Sequence, residues 1–184
     1  APYVQGDCLV GIDAPLVVTN PTGQRPAERQ LNADFARYQA GAHPTNTGKP
    51  EFAGTPRGAR LAEVLGLDIA PDATAVDGAT RRAFEVYPHA AAVALFRLGR
   101  TLKYKAKPGR TVAGLRAELL RLMEHIEELA QATPALRVAD SDDWVHLRDV
   151  VESASRKSEL RTAEDPVDAV LCAYVAMFAF RRPA

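Results

Sequence analysis

The run Cys8-Leu9-Val10-Gly11-Ile12, closed by Asp13-Ala14-Pro15, constrains this chain more than any other segment. Five residues without polar alternation predict a strand covered on both faces, as in a parallel sheet. Proline cannot continue a central strand, so the strand stops near Asp13 and leaves that carboxylate at its carboxyl end. In open α/β sheets ligands and catalytic groups collect at that end. An aspartate just before an Ala-Pro step serves equally well as a turn residue that bonds nearby N–H groups.

A strand buried on both faces needs neighbours on both edges for its N–H and C=O groups. Only one other segment, Arg82 to Tyr87, ended by Pro88, reads as a strand. The rest is helical. Helices are expected from Ala27 to Gln39, from Thr55-Pro56 to Gly66, from Ala90 to Leu98 and from Asp142 to Ser153. The longest should run from Val112 to Gln131, with Leu115, Leu119, Leu122, Ile126 and Leu129 as its apolar stripe. The last should begin at Asp165-Pro166 and reach Phe180. The fold class is therefore α/β, one domain over residues 1–184. The shortage of strands predicts that further strands precede Ala1 in the full protein or come from another chain. Gly41 to Pro56, dense in proline and glycine, predicts a long loop that can serve as a lid.

With 23 basic and 23 acidic residues the chain has no global electrostatic attraction for a polyanion, so any nucleic-acid binding must be local. Cys8 and Cys172 both lie in apolar surroundings, as small hydrophobes of a reduced, cytoplasmic protein do. Ala169 to Phe180 is too short for a membrane span and reads as a buried helix, so no membrane partner is expected. Sequence leaves the oligomeric state open; a homo-oligomer is compatible with it.

Several side chains carry chemistry. Glu85 stands mid-strand between Phe84 and Val86, where a carboxylate needs an arginine partner or a metal. His89, just past Pro88, can meet a phosphate or a metal, or act as a cap or packed ring. Arg97 to Arg110 is basic without an acid; Lys103 and Lys105 can hold a phosphate backbone, and Tyr104 between them can stack on a base, unless the run is only a solvated loop. His43 lies in the long loop and joins the substrate-binding candidates. If Asp165 caps the last helix, Asp168 occupies its first turn and favours the helix dipole.

Four stretches together resemble a known family: Gly11-Ile12-Asp13-Ala14-Pro15-Leu16; Asn20-Pro21-Thr22-Gly23 with Arg25-Pro26-Ala27-Glu28-Arg29; Glu85-Val86-Tyr87-Pro88-His89; and Asp168-Ala169-Val170-Leu171-Cys172-Ala173-Tyr174. Gly41-Ala42-His43-Pro44 and Leu102-Lys103-Tyr104-Lys105 add to the likeness. The family is domain of unknown function 429, described as predicted nucleases with a ribonuclease H-like fold. The resemblance implies a ribonuclease H-like mixed sheet flanked by helices, whose first strands, one of them bearing an aspartate, are missing from this chain. It implies metal-dependent hydrolysis of phosphodiesters, with Asp13 and Asp168 as catalytic acids and metal ligands and Mg²⁺ or Mn²⁺ as cofactor; Glu85, from its place in the strand, joins them as a further catalytic candidate. The alternative is a non-catalytic ribonuclease H-like module that binds nucleic acid, nucleotide or protein. A phosphotransferase is a weaker third option, because no glycine-rich phosphate loop joins a strand to a helix.

Overall fold

A computed structural model describes residues 4–70 and 81–181. Two strands, β1 (Cys8–Ile12) and β2 (Arg81–Glu85), pair in parallel, Cys8 opposite Arg81 and Ile12 opposite Glu85. A single bridge joins Asp68 to Arg82 on β2. Among the described residues six α-helices accompany them: α1 (Pro26–Phe35), α2 (Arg57–Val64), α3 (Pro88–Leu95), α4 (Val112–Glu128), α5 (Asp142–Ser153) and α6 (Lys157–Arg181). The class is thus mixed α/β, strongly helical, with a small parallel sheet.

Two apolar clusters hold these elements. The larger is helical: Leu115, Leu119, Leu122, Met123 and Ile126 of α4 meet Trp144 and Val151 of α5 and Leu160, Ala163, Val167 and Leu171 of α6. The smaller joins Ile12 and Ala83 of the sheet to Ala62 of α2, Leu16 and Leu67. A position on β1 ties the two halves together. A Cβ on Gly11 would lie 2.6 Å from the Cys172 carbonyl oxygen and 2.9 Å from a Val86 methyl, so only glycine lets α6 lie this close to the strand.

Most expected elements stand within a few residues of their expected ends, and α5 matches at both. α3 starts earlier than expected because Pro88, instead of merely ending the strand, is the first residue of the helix, where its fixed φ suits and its missing N–H costs nothing. Two expectations fail. β1 is only half-buried from Cys8 to Gly11 and is covered fully at Ile12 alone. Among the described residues its one strand neighbour is β2.

The second failure concerns the last helix. It begins at Lys157, not at Asp165, and is longer than α4. Glu159 marks its true start by accepting the main-chain N–H groups of Ser155 at 2.8 Å and Arg156 at 3.1 Å. Pro166 sits inside the helix, where it removes a ladder hydrogen bond. Burial outweighs that loss: Leu160, Ala163, Val167 and Leu171, on both sides of the proline, are each fully enclosed. Asp165 is therefore no cap, and Asp168 is not a first-turn residue. Among the described residues no helix is long and apolar enough to cross a membrane.

Candidate functional site

Asp13 lies just beyond β1, where the chain turns toward Pro15. Asp165 and Asp168 lie on α6, three residues apart and hence on one face. The approach of α6 to Gly11 brings these elements together. Asp13, Asp165 and Asp168 line a single groove of about 1590 Å³. All of β1 lines it too, with Arg57, Gly58 and Leu61 of α2 and the α6 residues Ala169, Cys172, Ala173, Ala176, Met177 and Phe180. The α6 residues, spaced by threes and fours, form one stripe that is acidic at its start and apolar for the rest.

Asp168 is the most enclosed acid, only 2% exposed. Tyr104 donates to its Oδ1 at 2.6 Å, and the Lys105 ammonium forms an ion pair with its Oδ2. Lys105 also reaches Asp165, at 3.7 Å. Burial would lower the Lys105 pKa, but its bond to Asp168 and the charges of Asp168, Asp13 and Asp165 raise it. Asp13 keeps an exposed flank, yet protein crowds it from the other sides. Burial, then the charge of Asp168, push its carboxyl up to about 6. The same surroundings push the Cys172 thiol up to about 12, burial first and the two aspartates after it.

Behind the carboxylates stands a column of rings. His89 lies 5.3 Å from Tyr104 and 5.8 Å from Tyr87, centroid to centroid. Its Nδ1 is 3.3 Å from the Thr101 hydroxyl, and the Tyr87 hydroxyl donates to the Gly41 carbonyl at 3.1 Å. Burial drives the His89 pKa down to about 4, so the ring is neutral near pH 7. It acts here as a packed ring that supports Tyr104.

The other candidates are placed differently. Tyr104 is 1% exposed and cannot stack on a base; its hydroxyl orients Asp168 instead. Lys103 is half-buried and its main-chain N–H donates to Glu118 at 2.7 Å. Arg100 pairs with Glu118, and Arg110 donates to the Lys105 carbonyl at 2.8 Å, so much of the basic run is engaged within the protein. Glu85 stands at the exposed end of β2, not buried mid-strand as expected, and of its two expected partners it meets an arginine: Arg25 grips both its oxygens, at 2.6 and 2.7 Å. Glu85 is absent from the lining of the acidic groove and borders a smaller one with Arg25 and Leu16. His43 is exposed on its loop and does not line the groove either.

That loop is fastened rather than loose. Asn20 donates to the Thr45 carbonyl at 3.0 Å, Asn46 to the Gly23 carbonyl at 3.0 Å, and the Thr45 N–H to Glu28 at 3.1 Å. Glu28 also takes the Arg25 side chain at 2.8 Å. The loop meets the groove at Glu51 and Phe52. Sequence reasoning missed this Arg25–Glu28–Thr45–Glu85 network. Its one visible signal was the Arg25-Pro26-Ala27-Glu28 spacing, an N-terminal helix signature in which Glu28 bonds back to the Arg25 N–H at 2.9 Å.

Among the described residues no group of three or more His, Cys, Asp or Glu side chains has metal-holding geometry. The donor set still suits a hard divalent cation held by two carboxylates, with waters or substrate oxygens completing its shell. Asp13 and Asp168 both line the groove and supply oxygen donors, with Oδ2 of Asp168 paired to the Lys105 ammonium. The groove lining sets Asp7, Asp13, Glu51, Asp165 and Asp168 against Arg57 and Arg82, with Lys105 pairing Asp165 and Asp168 from beside it, and the acidic surplus that is left favours a cation. No curated protein and no solved structure matches the chain. Residues 1–182 match the family described as protein of unknown function (DUF429), and the chain belongs to that family.

Proposed function

We propose that this chain is a divalent-metal-dependent nuclease of ribonuclease H-like type, with Asp13 and Asp168 as the ligands of Mg²⁺ or Mn²⁺. The observation that carries this reading is the convergence of Asp13, at a parallel strand's carboxyl end, with Asp168, buried in the interior of α6. Asp168 no longer has a helix-dipole reason to be acidic, and its buried carboxylate is sustained by Tyr104 and Lys105, which hold it at the groove. When bound, the ion supplies positive charge against the charge that builds on a phosphodiester during displacement. The protein's own groups hold and orient. Tyr104 fixes one oxygen of Asp168, and the His89 ring buttresses Tyr104. Lys105 is the cation of the basic run that reaches the acids. Glu85, locked to Arg25, positions the turn after β1 by accepting the Leu16 N–H at 3.3 Å.

The test is incubation of labelled single- and double-stranded DNA and RNA with the full-length protein and Mg²⁺ or Mn²⁺. Cleavage that needs the metal and vanishes in Asp13→Asn and Asp168→Asn is expected. A folded protein that cuts none of the four substrates, or mutants that cut as well as wild type, would refute the reading.

A second reading has its own observation. The groove runs along β1, whose only strand neighbour among the described residues is β2, and its length is apolar from Ala169 to Phe180. A strand edge left without a strand neighbour, beside an apolar wall, suits an added strand from a protein partner. In that case the chain is a non-catalytic ribonuclease H-like binding module, and Asp13 and Asp168 can be neutralised without loss of partner binding.

A further inference from the structure

We propose that Lys105 is a built-in competitor for the divalent ion: its ammonium occupies the ion's place between the groove carboxylates, and metal entry displaces it toward the substrate. This rests on the metal reading above. Three facts carry it. The Lys105 ammonium is paired with Asp168 and lies 3.7 Å from Asp165, and the charges of both, with that of Asp13, bear on it. One cation therefore already sits against Asp168, an acid that would bind another.

The second fact is that the two oxygens of Asp168 hold different partners. The Lys105 ammonium is on Oδ2, whereas Oδ1 is fixed by the Tyr104 hydroxyl. The lysine can leave without disturbing the carboxylate's orientation. The third is that the peptide unit following it is held at both its carbonyl and its N–H. Arg110 donates to the Lys105 carbonyl at 2.8 Å, and the Ala106 N–H donates to the buried Glu164 at 2.9 Å. Only the flexible four-carbon stem is free to pivot, so the displaced ammonium stays tethered near the groove. A tethered cation beside an occupied metal site is placed to meet a phosphate oxygen. The device keeps the acids neutralised without metal and couples metal arrival to the release of a substrate-binding charge.

The experiment titrates Mn²⁺ calorimetrically into wild type, Lys105→Met, Lys105→Arg and Lys107→Met. Lys105→Met should bind Mn²⁺ roughly tenfold tighter than wild type, because the ion no longer displaces a cation. Lys105→Arg should bind no tighter than wild type. Lys107→Met removes the same charge from the exposed part of the same run and should change affinity far less. An affinity for Lys105→Met within threefold of wild type, or equal to that of Lys107→Met, overturns the competitor role and leaves the metal reading standing. Folded proteins among which none binds Mn²⁺ overturn both. Should Lys105→Met fail to fold, wild type labelled at the lysine Cε carbons answers by NMR. Saturating Mg²⁺ should shift the Lys105 signal, and an unmoved signal in the metal-bound protein rejects the displacement.

Discussion

Asp13 is expected to oppose folding once it ionises, so removing its charge should stabilise the protein. Its carboxyl is raised from 3.8 to about 6, by burial and then by Asp168. A raised acid holds its proton more tightly in the folded state than in the unfolded chain. The fold is thus favoured below about pH 4 and loses that advantage as pH rises through about 6. Each pKa unit corresponds to about 1.4 kcal/mol, so a fully enclosed group so perturbed would cost about 3 kcal/mol. Asp13 keeps an exposed flank, and solvent screening reduces this to about 1 kcal/mol. No hydrogen bond contributes to the perturbation, so Asp13→Asn sacrifices no directed contact.

The assay is thermal denaturation of wild type and Asp13→Asn between pH 4 and 8, in chelator. The Tm difference should be near zero at pH 4 and reach about 2–4 °C in favour of the mutant at pH 7.5. Mn²⁺ should then stabilise wild type and not the mutant, closing the gap. A difference that is flat with pH, or wild type being the more stable at pH 7.5, would show that Asp13 is neither crowded nor coupled to Asp168.

Asp168→Asn should act in the opposite sense, destabilising the fold by about 2–3 kcal/mol at pH 7.5 in urea titrations, because it strands Lys105 beside a neutral amide. Gly11→Ala should cost about 2–3 kcal/mol by pushing α6 off β1, and calorimetry should find Mn²⁺ affinity lost with the Asp13–Asp168 approach; full affinity would separate the site from the packing that builds it. Glu85→Gln should cost about 1–2 kcal/mol through its Arg25 clamp while leaving Mn²⁺ affinity within twofold of wild type, and a larger loss of affinity would return Glu85 to the metal site.

How much of this was legible in the sequence depended on the range of the interaction. The apolar run and Pro15 placed Asp13 at a strand end, because strand preference and proline's missing N–H act within a few residues, while the strand's burial, set by distant neighbours, fell short of what the run predicted. The same local logic placed α1 to α5 to within a few residues and gave Glu85 its two options, of which Arg25 took the first. It failed at α6. Pro166 is a strong local stop, and only the burial of Leu160, Ala163, Val167 and Leu171 against other helices carries the helix through it.

The basic run shows the limit most clearly. From sequence, Lys103 and Lys105 were equivalent candidates for a phosphate backbone, with Tyr104 between them to stack on a base. Folding gave them three separate surroundings: a main-chain bond to Glu118, a buried seat against Asp168, and an ion pair with that same carboxylate. Asp13 and Asp168 are separated by most of the chain, so neither spacing nor periodicity relates them. Their coupling exists because Gly11 lets α6 lie against β1, and that contact is set by long-range packing.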